Sequence, residues 1–126
     1  MRLSLFKVAV VSGLYDLALA LPMLVAPVAV ARLFGAPDPV PVLNAQLNGV
    51  FTLALGVGYF WAARDTGARR GYFWVAGVLA KGLGAALFVV DHFLHGSPAS
   101  FLLFAATDGT LAAVTVGALL QGRSRA

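Results

Sequence analysis

The sequence predicts an all-α, integral membrane four-helix bundle with up-down-up-down topology, in a single domain. Three observations carry that expectation. First, hydrophobic residues make up 60% of the 126 and charged residues 11%. Soluble domains run at roughly 45–50% and about 25%. A domain this small cannot hide the excess in a core, so lipid is the expected solvent. Second, residues 5–30, 43–63, 72–93 and 101–120 form apolar stretches separated by short links. About 20 apolar residues suffice to cross a bilayer. Third, the basic residues fall almost entirely in links that such a topology puts on one side.

The first stretch follows a basic start with Arg2 and Lys7, and is interrupted by Ser12, Asp16, Pro22 and Pro27. A cleavable signal peptide is the rival reading, with Ala18-Leu19-Ala20 as its small-residue site. Asp16 breaks its apolar core, however, and hydrophobicity continues to Val30. The segment RLFGAPDPVPV, 32–42, is a loop, because its prolines cannot continue a helix and Gly35 marks a turn. Pro41 is suited to open the second helix. On that helix Asn44, Asn48 and Thr52 recur every four residues and so share a face. Tyr59 and Trp61 at its end read as interfacial aromatics.

RDTGARR, 64–70, is the polar link to the third stretch, which carries Lys81 near its middle and Asp91-His92 at its end. HGSPAS, 95–100, is a turn in which Ser97 or Ser100 could cap the last helix. That helix contains Asp108, Thr110 and Thr115. Gly56, Gly58, Gly77, Ala80, Gly84, Gly109 and Ala113 supply small surfaces for close helix approach.

Orientation follows from charge. Arg2, Lys7, Arg64, Arg69, Arg70, Arg123 and Arg125 fall on one side and Arg32 alone on the other. Both termini are therefore expected to be cytoplasmic. The net charge of +4 is explained by this bias, and nucleic acid is not an expected partner because no basic patch is built. The absence of cysteine removes disulfides, thiolate metal sites and a cysteine nucleophile.

Lys81 is the residue that most needs an explanation. A lysine at bilayer centre costs roughly 2.5–3.5 kcal/mol on insertion scales, so a partner is expected. Asp16 and Asp108 lie near the middles of their own stretches. Antiparallel neighbours would bring Asp16, Asn48, Lys81 and Asp108 to one level, with Asn44 a turn beyond. Such groups face the bundle interior and pair. The set reads either as a structural tie between helices or as a seat for a polar ligand head. Asp91, His92 and His95 form a second polar group at the outer face. A zinc site wants three or four ligands and only these three residues are local, and two histidines on one helix do not clamp a haem between facing helices. No metal site is expected there.

ARLFGAPDP, LNAQLNGVFTLALGVGYFWAARD, GVLAKGLGAALFVV and AATDGTLAAV together resemble the small four-helix bacterial membrane proteins of the DoxX-like group. The likeness would extend over nearly the whole chain. It implies a multi-pass protein of the bacterial cytoplasmic (inner) membrane, and supplies no catalytic residue. Some relatives in that group are linked to quinone or thiol redox complexes, and the lack of cysteine argues against a direct thiol role here. No motif amounts to an enzyme. The expected function is an accessory or oligomer-forming membrane subunit, working as a homo-oligomer or inside a larger membrane complex. The alternative is a binder of a quinone- or lipid-like molecule or a redox helper. No other cofactor is expected.

Overall fold

The computed structural model describes residues 2–123, most of them helical and none of them in a strand. Ser4 opens the first helix, its Oγ accepting the Lys7 N–H at 3.5 Å. Helix α1 runs Leu5–Val25 and then breaks. Ala26 sits at φ −140°, ψ 59°, outside the helical region. The ring of Pro27 forces that, because it crowds the residue before it. Pro27 then starts a separate short helix, α2, Pro27–Leu33. The expected continuous span over 5–30 is therefore two helices.

The loop that follows is pinned by Arg32, whose Nε and Nη2 donate to Asp38 at 3.0 and 2.8 Å. Those bonds hold the Asp38 carboxyl below the usual carboxylate range. Pro41 caps the next helix from outside, and α3 runs Val42–Ala63.

Helix α4, Arg70–His95, is longer than the expected 72–93. It opens as an α-turn, widens into π-helix over Phe73–Ala80, and returns to α-helix from Lys81. Such wide turns shift the facing of side chains between the segments they join. Gly96, in the left-handed region at φ 69°, ends it. A 3₁₀ turn, Ala99–Phe101, leads into α5, Leu102–Arg123. Ser100 does not cap α5 by its side chain; its Oγ donates to the Phe34 carbonyl and ties this turn to the end of α2.

The long helices pack antiparallel through small residues. On α1 and α3, Gly13 lies beneath the Phe60 ring, Gly56 against Asp16 Cβ, and Gly49 against Leu24. On α4 and α5, Gly77 meets Thr115 and Gly109 meets Ala85. These two hairpins join where Leu3 N–H donates to Gln121 Oε1 at 2.9 Å and where the Tyr15 and Thr107 hydroxyls meet at 2.5 Å. The core draws on all four long helices through Ala9, Tyr59, Ala62, Phe73, Ala76 and Leu119.

Arg2, Lys7, Arg64, Arg69 and Arg70 gather at one end. Contacts of Arg69 with Trp61 and of Arg70 with the Leu119 carbonyl fix that grouping. Arg125, part of the charge bias, lies outside the described residues. The outward surface is apolar along its length, with Phe6, Leu14, Phe51, Leu83, Leu87 and Leu103 all exposed. By length and composition α1, α4 and the stretch Ala99–Gly122 can each cross a membrane. α3 is as long, and its Asn44, Gln46 and Asn48 dilute its apolar character.

Candidate functional site

Lys81 is the first α-helical residue after the π stretch, and its side chain enters the space between the two hairpins. Its Nζ donates to Asp16 Oδ1 at 2.7 Å and stands 3.8 Å from Asp108 Oδ1. The side chains of Lys81, Asp16 and Asp108 are 8%, 4% and 18% exposed. The short contact therefore joins the two most buried groups, across hairpins. Asp108, on the same hairpin as Lys81, is the looser partner.

Two tyrosines complete the enclosure. Lys81 Nζ lies 5.0 Å from the centre of the Tyr15 ring and 5.7 Å from that of Tyr59. Both fall within the reach of cation–π attraction, about 6 Å. Tyr59 is fully buried, with its ring edge-on to Tyr72. The hydroxyls of Ser12 and Tyr59 and the Oδ2 of Asp16 are buried with no hydrogen-bond partner among the described residues. Thr115, also fully buried, returns its hydroxyl to the Leu111 carbonyl at 2.6 Å.

The expected meeting of Asp16, Lys81 and Asp108 is thus present, and Asn44 and Asn48 stand apart from it. Both asparagines are exposed. Gly49 and Gly56 take the α1-facing side of α3 because only a residue without a side chain fits against Leu24 and Asp16 there. Asn48, one residue away from Gly49, is turned by about 100°. Tyr59 corrects the interfacial reading in the opposite sense. It extends the Gly56 face by one turn, so it points inward. That spacing of three was the available signal for it, whereas Tyr15 and Ser12 had only their closeness to Asp16.

The second polar group is a local closure of the chain. His95 Nδ1 meets Asp91 Oδ1 at 2.8 Å, and His92 Nδ1 donates to the Ser97 carbonyl at 2.7 Å. Both bonds fasten the end of α4 around Gly96. Among the described residues no set of three His, Cys, Asp or Glu side chains is placed to hold a metal ion.

Against known families, curated proteins and solved structures the chain finds no match. What the cluster can do is therefore read from its own chemistry. It offers a cation, two carboxylates and two phenol rings, all partly or fully buried. That suits holding helices or a polar head group.

Proposed function

We propose that this chain is a small non-enzymatic membrane protein, a four-helix up-down-up-down bundle that works as a self-associating accessory subunit. The residues that resemble the DoxX-like group support placing it beside those proteins in a bacterial cytoplasmic membrane. The gathering of arginines at one end supports cytoplasmic termini. The observation that carries self-association is the outward pair Asn44 and Asn48. Exposed Leu43, Leu47 and Phe51 surround them, and neither side-chain amide has a bonding partner among the described residues.

An amide facing lipid loses the bonds that water would give it. An amide is both donor and acceptor, so two copies related by a two-fold axis satisfy each other. Interhelical bonds of this kind contribute from about 0.6 to 1.7 kcal/mol each. Asn48→Leu is then expected to weaken self-association by about tenfold. Native mass spectrometry after release from lipid nanodiscs would read it. A strictly monomeric parent protein, or an Asn48→Leu variant that associates as before, would remove this reading.

A second reading is favoured by a groove of about 360 Å³ between α1 and α5, lined by Val11, Tyr15, Ala106, Thr107, Thr110 and Leu111. Its floor is the Tyr15–Thr107 hydroxyl pair, with Lys81 behind the Tyr15 ring. A lipophilic molecule with a carbonyl head, such as a quinone, would accept the Tyr15 O–H in place of Thr107, whose own hydroxyl donates to the Leu103 carbonyl. Tyr15→Phe should then lower its affinity by about fivefold to tenfold, the worth of one neutral hydrogen bond. Fluorescence quenching by a short-chain quinone measures this, and equal quenching of both proteins would exclude the groove.

A further inference from the structure

A larger open cleft, about 940 Å³, lies at the arginine-bearing end where α1 begins, α4 begins and α5 finishes. Three cations line it: Arg2 and Lys7 from the N-terminal segment and Arg70 from α4. Among the described residues no carboxylate does. Asp65, in the neighbouring link, is turned to the Ala68 N–H at 3.0 Å. Neither Arg2 nor Lys7 forms an ion pair among the described residues.

Arg70 is held in place. Its Nη2 donates to the Leu119 carbonyl, and its guanidinium lies over Gly122, where an added Cβ would stand 2.9 Å from Nη1. A larger residue at 122 would push the guanidinium away. The N-terminus of α1, with its partial positive charge, opens on the same cleft. Leu3 and Leu5 give it an apolar wall.

The cleft does not stand alone. The groove at Val11, Tyr15, Thr107 and Leu111 lies on the same α1–α5 seam. The two are separated from Lys7 to Val11 on α1 and from Leu111 to Ala118 on α5, or about 6 Å and about 10 Å at helical rise. Both are within the length of an acyl chain. The seam therefore presents cations at one end and a separate apolar groove further along it.

We propose that this seam binds an anionic phospholipid, with the headgroup phosphate among Arg2, Lys7 and Arg70 and an acyl chain laid along α1 and α5. The assignment rests on the reading of α1, α4 and α5 as membrane-spanning, and is independent of self-association through α3. A phosphodiester supplies the two charged oxygens that a fork-shaped guanidinium recognises. Basic clefts between helices at the cytoplasmic surface are suited to such headgroups.

The test uses the full chain in nanodiscs of phosphatidylcholine alone and of phosphatidylcholine mixed with phosphatidylglycerol, with flotation as the check on insertion. Lipid retained after release is read by native mass spectrometry. Phosphatidylglycerol should be retained in preference to phosphatidylcholine. Arg2→Gln and Lys7→Gln, both on exposed side chains, should each lower its retention by about fivefold. Arg64→Gln, at the same end outside the cleft, should leave it unchanged.

Equal retention of the two lipids would overturn the proposal. So would an Arg64→Gln loss as large as that of Lys7→Gln, which would mean diffuse charge without a site. Displacement of the lipid by inorganic phosphate would reassign the cleft to a soluble anion. A chain that fails to float with the bilayer would overturn the spanning reading together with this one.

Discussion

Replacing Lys81 with methionine is expected to destabilise the fold by about 3–5 kcal/mol, the cost of removing one partner from a buried ion pair. Methionine keeps an unbranched stem, so the loss is chiefly the ammonium. Asp16 suffers most, because among the described residues its Oδ2 already lacks a donor and its Oδ1 bonds only to Nζ. Asp108 is less enclosed and still faces Tyr15. Asp16→Asn should accordingly cost more than Asp108→Asn. The double variant Lys81→Met/Asp16→Leu should recover much of the loss, since replacing both members of a buried pair by apolar groups is often close to neutral. Denaturation midpoints in detergent, followed by circular dichroism, would rank the variants. An unshifted midpoint for Lys81→Met would show that the pair ties nothing together.

The pairing was legible because its energetics are one-sided. A lysine and two aspartates, each central in an apolar stretch, have few tolerable arrangements. Depth along a helix follows from residue number alone. Rotation about the helix does not, because it depends on which residues the neighbouring helix seats against. Asn44 and Asn48 were at a plausible depth on the wrong face, since the face of α3 is set by where Gly49 and Gly56 admit α1. Tyr59 was read by its place near a helix end, yet its neighbours Gly56 and Ala62 turn that side inward. The π stretch ahead of Lys81 left no mark in composition; it coincides with the part of α4 where Phe73, Ala76 and Gly77 are buried. The break at Ala26 was local, and Pro27 already encoded it.

Gly56→Val is expected to cost about 1–3 kcal/mol, the usual range for overpacking a close contact. A Cβ at this position would stand 3.1 Å from Asp16 Cβ and 3.3 Å from the Gly13 carbonyl oxygen. The second of these is backbone and cannot turn aside, so α1 and α3 must move apart. Asp16 moves with α1, and its 2.7 Å bond to Lys81 lengthens as a result. The packing glycine and the ion pair are therefore coupled. Gly56→Val combined with Lys81→Met should lose less than the two single losses added together, because each variant already spoils the same bond. Gly82 supplies the control: an added Cβ there meets nothing within 4 Å, so Gly82→Ala should be neutral or stabilising by up to about 1 kcal/mol from helix propensity. Strict additivity between positions 56 and 81 would separate helix packing from the buried charges. It would leave Lys81 and Asp16 as neighbours whose distance the glycine contact does not set.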